Sequence, residues 1–362
     1  MEGPTEVAPI SLPPPPPSAE ESCPEFVIPL KSGDDQPKSA PMSRVLSSSS
    51  LKDILGKASL ERQASSGALS TISNQSSGSV KDVVVEGVNE PDTLEYRIQH
   101  VIHTENHDKQ VISLWHDIPL FCTDPISNLP TGNVNFVCEI PRCSRKKYEI
   151  ATDEPGNPIK QDEKKGQLRA FKKGDIFFNY GCLPRTWEDP DHVAPDVGVG
   201  GDNDPLDVCE IGLGIVGVAE VRRVKVLGVL CLIDDGEADW KLICIDENDR
   251  WAPELNDIDD VERLLPGVVD SIREWFRTYK IPDGKPPNVF GLEERAMNKA
   301  YAMKVIDECH QAWKNLVSKE EKKQGRNLSV RDLSQLDMET DERAADTVME
   351  TIDDTPGEDL MF

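Results

Sequence analysis

Apolar and polar positions divide this chain of 362 residues into a periodic middle and two aperiodic ends. Between about residues 90 and 318 the apolar residues recur at the spacings of regular structure, and all six tryptophans fall there. β-Branched runs predict strands at Val134–Ile140, Ile215–Val221, Val224–Ile233 and Leu242–Ile245. The last two read as a hairpin, because Asp235-Gly236 between them is a tight-turn dipeptide. Asp257 to Lys280 predicts a helix interrupted at Pro266. Leu292 to Val317 predicts a longer helix, with Ala296, Ala300, Met303, Ile306, Trp313 and Leu316 spaced near three and four. Strands first and helices afterwards predict an α+β domain built on a small closed sheet.

The ends lack that periodicity. Residues 1–85 carry Pro13 to Pro17, Ser47 to Ser50 and a Ser/Gly/Gln stretch, and a segment of this kind buries too little surface to offset its chain entropy. They predict a disordered Pro/Ser-rich extension, followed by a folded domain over 86–319 and an acidic tail over 320–362.

A formal net charge of −26 argues against nucleic acid and anionic membranes as partners, since phosphate surfaces would repel the chain. No apolar run approaches the ~18 residues of a membrane span, and Met1-Glu2 opens no basic signal region. Nine cysteines without a CxxC pair, several within apolar runs, predict buried reduced thiols. Together these predict a cytoplasmic protein, with organellar targeting by the N-terminal extension as the lesser alternative.

Candidate chemistry centres on Asp202-Asn203-Asp204-Pro205-Leu206-Asp207, which sets three carboxylates into six positions beside a glycine pair. In an extended segment Asp202 and Asp204 share a face, and Pro205 turns the chain so that Asp207 joins them. Clustered carboxylate oxygens suit Mg²⁺ or Mn²⁺. A solvated acidic loop would show the same cluster, so the neighbouring motifs decide. Asp234 and Asp239 flank the predicted hairpin turn, with Lys241 on the face of Asp239. Upstream, Lys147 and Glu149 again stand two residues apart. Alternating anions and cations on single strand faces are what a metal–phosphate site requires.

These segments resemble successive motifs of the soluble family I inorganic pyrophosphatases of eukaryotic type. The motifs are Gly201 to Asp207, Asp234 to Lys241 and Tyr279-Lys-Ile-Pro-Asp-Gly-Lys285, together with Trp115 to Leu120, Glu139 to Arg142, Asn179 to Gly181 and Trp187 to Pro190, and the likeness runs from about Leu94 to Trp313. The resemblance implies a five-stranded OB-like closed β-barrel flanked by C-terminal helices, and a homodimer. It implies hydrolysis of inorganic pyrophosphate to two orthophosphates by in-line attack of a metal-activated water, with several Mg²⁺ ions and Mn²⁺ as a substitute. Residue by residue, Asp204 is the general base, and Asp202, Asp207, Asp234, Asp239 and Glu149 hold metal. Lys147, Arg169, Tyr180, Lys241, Tyr279 and Lys280 bind phosphate, and Glu139 orients those cations. The chain departs between Arg169 and Tyr180, where it is about four residues shorter than the family pattern and carries Ile176 in place of a tyrosine. That departure supports the alternative of a pyrophosphatase-like barrel acting mainly as a binding or regulatory module.

Other signals carry less. His100, His103 and His107 read as structural or solvent-facing rather than as ligands, and His310, Trp275 and Trp313 as packing. Gly212, Gly214 and Gly217 match G-x-G-x-x-G, but the segment beginning among them predicts a strand where a dinucleotide site needs a helix.

Overall fold

The computed structural model describes residues 83–103, 109–124, 126, 127 and 129–318. The predicted extension through residue 82, His107 and the acidic tail lie outside the described residues. Fifteen strands follow in chain order: β1 (Val83–Val88), β2 (Arg97–His103), β3 (Lys109–Ile112), β4 (Phe121–Thr123), β5 (Pro130–Ile140), β6 (Tyr148–Ile150), β7 (Ile159–Gln161), β8 (Glu163–Lys164), β9 (Gln167–Leu168), β10 (Asn179–Cys182), β11 (Asp207–Glu210), β12 (Val221–Asp234), β13 (Glu237–Asp246), β14 (Val289–Phe290) and β15 (Met297–Asn298). The helices are α1 (Ile258–Leu264), α2 (Val268–Thr278) and α3 (Lys299–Ser318). Because Val83 already pairs with Ile102, the folded domain starts before the boundary expected at residue 86.

One sheet runs β1-β2-β7-β6, with β3 also on β2. A second runs β14-β12-β13-β11-β10-β5-β4, with β15 also on β12. Only the β11–β13 pair is parallel in it. β5 also pairs with Val221–Val224 of β12, so hydrogen bonding passes through β12, β13, β11, β10 and β5 and returns to β12. That ring of pairings passes through five strands, and the described residues hold ten others. The additional ones are mostly two to four residues long, too short to display a period of two.

The predicted hairpin forms between β12 and β13, and its turn residues Asp235 and Gly236 both take positive φ, 50° and 97°, as a two-residue turn of this hand demands. The Ile215–Val221 strand does not form. Here Asn179 satisfies the backbone, accepting from the N–H groups of Val216 (3.0 Å) and Arg142 (2.9 Å) and donating to the Gly214 carbonyl (2.8 Å). Strand structure begins only at Val221. Pro266 separates α1 from α2 as expected. The second predicted helix starts seven residues late, at Lys299. Leu292–Glu294 form a 3₁₀ turn at positive φ, and Met297–Asn298 add to the edge of β12.

The core lies where Phe136 of β5, Val226 and Val229 of β12, and Leu242 of β13 meet Ala302, Met303 and Ile306 of α3. Trp275, Trp313 and His310 are buried in packing as expected. His100 is buried too, its Nε2 2.7 Å from the Ala219 carbonyl. Seven cysteines are free and buried, whereas Cys143 departs from the expectation and is disulfide-bonded. No helix among the described residues is long and apolar enough to cross a membrane.

Candidate active site

The acidic segment is a turn rather than a stretch of strand. Asp202 accepts from the Asp204 N–H through Oδ1 (3.0 Å), and Asn203 takes positive φ (78°). The segment Thr186–Glu188 straps this turn in place. Glu188 N–H donates to the Asp204 carbonyl (2.9 Å), Asn203 N–H to the Glu188 carbonyl (2.9 Å), and Leu206 N–H to Thr186 Oγ1 (3.0 Å). The glycine before the cluster is needed for this approach, since a Cβ at Gly201 would lie 2.5 Å from the Glu188 carbonyl. Clustering therefore arises from a side-chain-capped turn, not from strand alternation.

Asp207 opens β11, beside Lys241 of β13 in the parallel register. Lys241 is almost fully buried and donates from Nζ to Asp207, to Asp239 and to Tyr180 Oη (3.0 Å). Tyr180 Oη in turn donates to Asp207 Oδ2 (2.5 Å). Asp239 faces Leu232 across the ladder and Asp234 faces Glu237, so the two aspartates lie diagonally on one face rather than directly opposite.

The other wall carries the remaining cations. Lys147 Nζ contacts Glu149 Oε2 (2.7 Å) and Asp162 Oδ2 (3.0 Å), and Arg169 donates to the same Asp162 oxygen. α2 ends at Thr278 and so delivers the next two residues to the rim. Tyr279 Oη donates to Asp234 Oδ2 (2.8 Å), and Lys280 Nζ donates to Asp234 Oδ1. Glu139 lies at the buried base and accepts the Ile150 N–H (2.7 Å), a backbone donor in place of the cation the resemblance suggested. All thirteen residues predicted from the sequence line this one cleft of about 270 Å³.

Electrostatics separate the groups further. Burial, then Asp204 and Asp207, push the Asp202 carboxyl up to about 7 against the pull of Lys241. Asp204 is open on its outer side, yet loss of water around its carboxyl, then Glu149 and Asp207, also push it up to about 7. Asp239 and Glu139 are raised well above the usual carboxylate range, chiefly by burial. For Lys241 and Lys147 burial favours the neutral amine, but the surrounding carboxylates outweigh it and hold both ammonium forms.

Two residues missed by sequence reasoning belong to this arrangement. Asp162 joins Lys147 to Arg169; its only sequence signal is the acidic pair Asp162-Glu163 between lysines. Glu188, within the quoted Trp187–Pro190 motif, is 2 % exposed and brings a carboxylate oxygen within 4.8 Å of oxygens from Asp202 and Asp239. Among the described residues Glu188, Asp202 and Asp239 thus form a carboxylate triplet that the sequence did not display. The segment carrying the departure lends Phe171 to the cleft, while Ile176 is buried outside its lining, its N–H on the Ser144 carbonyl (3.0 Å).

Divalent cations fit the donor set. Eight carboxyl side chains line the cleft against five cationic ones, and the Oε2 atom of the neighbouring Glu188 is buried with no hydrogen-bond partner. Oxygen donors of this hardness match Mg²⁺ or Mn²⁺ and not a thiolate- or imidazole-seeking ion.

Comparison with known proteins agrees with this geometry. A family model described as inorganic pyrophosphatase matches residues 136–314. The inorganic pyrophosphatase of Emericella nidulans is 51 % identical over 227 residues, which cover 62 % of this chain and 77 % of that protein. Inorganic pyrophosphatase 1 of Caenorhabditis elegans is 53 % identical over 211 residues, 57 % of this chain; there the match spans about half of the relative, 48 %. Among solved structures, the recombinant inorganic pyrophosphatase of Trypanosoma brucei brucei superposes with a TM-score of 0.64 at 41 % identity, covering 76 % of this chain and 78 % of that one. The N-terminally truncated vacuolar soluble pyrophosphatase of Trypanosoma cruzi, solved in complex with PPi, gives 0.62 at 45 % identity over 70 % and 99 %.

Proposed function

This chain belongs to the soluble family I inorganic pyrophosphatases, and we propose that it hydrolyses inorganic pyrophosphate to two orthophosphates with Asp204 as general base. The observation that carries the proposal is the convergence of all thirteen sequence-predicted residues on one cleft, its cations interleaved with its acids. Divalent cations, Mg²⁺ with Mn²⁺ as a substitute, would be held by Asp202, Asp207, Asp234, Asp239 and Glu149; when bound, they supply charge neutralisation and a lowered pKa for water.

The chain's own groups do the rest. An Asp204 carboxylate at the mouth accepts the proton of the attacking water, and a pKa raised toward 7 suits a base working near neutrality. Lys147 and Arg169, held in place by Asp162, reach toward oxygens of one phosphate. Tyr279 and Lys280 at the end of α2 and Lys241 with Tyr180 on the floor serve the other. No side chain is required as a nucleophile, so no covalent intermediate forms. The departure from the family pattern leaves all of these groups in the cleft, and phosphate release decides between hydrolysis and the binding-module alternative.

The test is phosphate release from magnesium pyrophosphate by the purified chain, with Asp204→Asn as control and ATP as competing substrate. Fast release, selective for pyrophosphate and lost in the control, is expected. A folded chain that releases no phosphate across a range of Mg²⁺ and Mn²⁺ concentrations refutes the proposal. The homodimer implied by the resemblance is part of the same proposal, and light scattering on the eluted protein decides it.

A further inference from the structure

Glu188 is the residue beside the cleft with the least explained environment. We propose that it is a cation-anchoring residue, an additional carboxylate at the divalent-cation position that Asp202 and Asp239 help to form; this rests on the metal-dependent reading above.

Three observations lead there. First, the side chain is fixed: Oε1 accepts the Trp240 N–H (2.9 Å), and the Glu188 main chain is bonded on both sides to the Asp202–Asp204 turn. The carboxyl group therefore has one orientation relative to the cluster. Second, Oε2 is buried without a hydrogen-bond partner, a state that a carboxylate oxygen keeps at high cost unless a cation faces it. Third, oxygens of Glu188, Asp202 and Asp239 lie within 4.8 Å of one another, each from a different segment: the strap, the acidic turn and β13. Like charges at this distance repel, and a shared cation turns the repulsion into coordination by hard oxygen donors.

Glu188→Gln separates anchoring from packing. It keeps the shape of the side chain and an oxygen for the Trp240 N–H, and removes only the charge. The measurement is titration of the purified full chain with Mn²⁺ alone, without pyrophosphate, read by water-proton relaxation, for wild type, Glu188→Gln and Asp202→Asn. Thermal melts in EDTA and in excess Mg²⁺ accompany it. Glu188→Gln is expected to weaken the tightest Mn²⁺ site by about tenfold or more, as loss of a residue that supports metal binding does. Its melting temperature in EDTA stays at or above that of wild type, while the rise given by Mg²⁺ shrinks. An Mn²⁺ affinity within twofold of wild type overturns the proposal. In that case Oε2 is served by water in the cavity of about 30 Å³ that Glu188 lines with Trp187, Trp240 and Cys309, and the residue is structural. Phosphate release is measured in parallel. Its absence in wild type overturns the hydrolase reading, whereas the Mn²⁺ titration alone decides the role of Glu188.

Discussion

Two of the almost completely buried titratable nitrogens among the described residues treat their charge in opposite ways. Lys241, on the floor of the cleft, stays an ammonium because Asp207 and Asp239 meet it and the rings of Tyr180 and Phe276 lie 5.5 and 5.2 Å from its Nζ. His116 sits in dry packing, stacked on Trp115 (4.3 Å between ring centres), and accepts the Trp313 indole N–H at Nδ1 (2.8 Å). Burial, with Arg185 adding to it, lowers its pKa to about 3, so it is neutral. In the cleft the buried charge of Lys241 is kept because opposite charges surround it. Asp204 should show the largest effect of using the charge: Asp204→Asn is expected to lower kcat by roughly 10² to 10⁴, the span of a lost general base. The melting temperature should not fall, since a carboxylate crowded by Glu149 and Asp207 has been neutralised. A loss under tenfold would assign the proton to another group.

Removing Lys241 strikes the same floor from the other side. Lys241→Met leaves Asp207 and Asp239 close together without their cation, and breaking a buried pair in this way costs about 3–5 kcal/mol. Urea unfolding in EDTA reads that cost, and excess Mg²⁺ should restore part of it. A change below about 1 kcal/mol would mean that the floor is wetter than the burial of Lys241 indicates.

The sequence displayed this floor unevenly. Asp235-Gly236 announced its hairpin because that turn needs two residues at positive φ, a local demand. The thirteen cleft residues were legible through ordered motifs. Glu188 and Asp162 were not, because their roles come from distant partners: Trp240 lies fifty-two positions from Glu188, and Lys147 reaches Asp162 across the β6–β7 pair. The Ile215–Val221 run misled for the same reason. Its β-branched residues fit a strand, but the Asn179 side chain had already taken the backbone groups that a ladder would use.

His116 supplies the opposite test. Its Nδ1 accepts from Trp313, so protonation there must break that bond inside the core. With a folded pKa near 3 and an unfolded one near 6.5, the unfolded chain binds the proton first as pH falls. Stability from this group is complete above about 6.5 and is lost progressively toward 3. Between pH 7 and pH 4 the loss is about 3 kcal/mol. The quantity to compare is the unfolding free energy of wild type and His116→Gln at both pH values, since the difference cancels titration of the cleft carboxylates. Parallel pH dependences in the two proteins would show that the histidine takes its proton without penalty.

Lys280 carries the same chemistry as Lys241 to the open rim, where the effect on stability should be smallest and the effect on substrate should persist. Its Nζ donates to Asp234 and lies 3.4 Å from Asp235, but its side chain and that of Asp234 are 18 % and 14 % exposed, against 2 % for Lys241. Water can replace the lost partner at the rim, and Tyr279 Oη still holds Asp234, so Lys280→Met is expected to cost no more than about 1 kcal/mol in unfolding. The ammonium is nevertheless one of the few cations aimed at the phosphate side of the cleft. Losing a charge-assisted bond of about 1.5–3 kcal/mol to an oxygen of the substrate lowers kcat/KM by roughly tenfold to a hundredfold. Unfolding and steady-state kinetics on the one variant measure both quantities. If Lys280→Met destabilises the chain as much as Lys241→Met, the distinction between a floor that needs its cations for folding and a rim that keeps them for substrate is wrong.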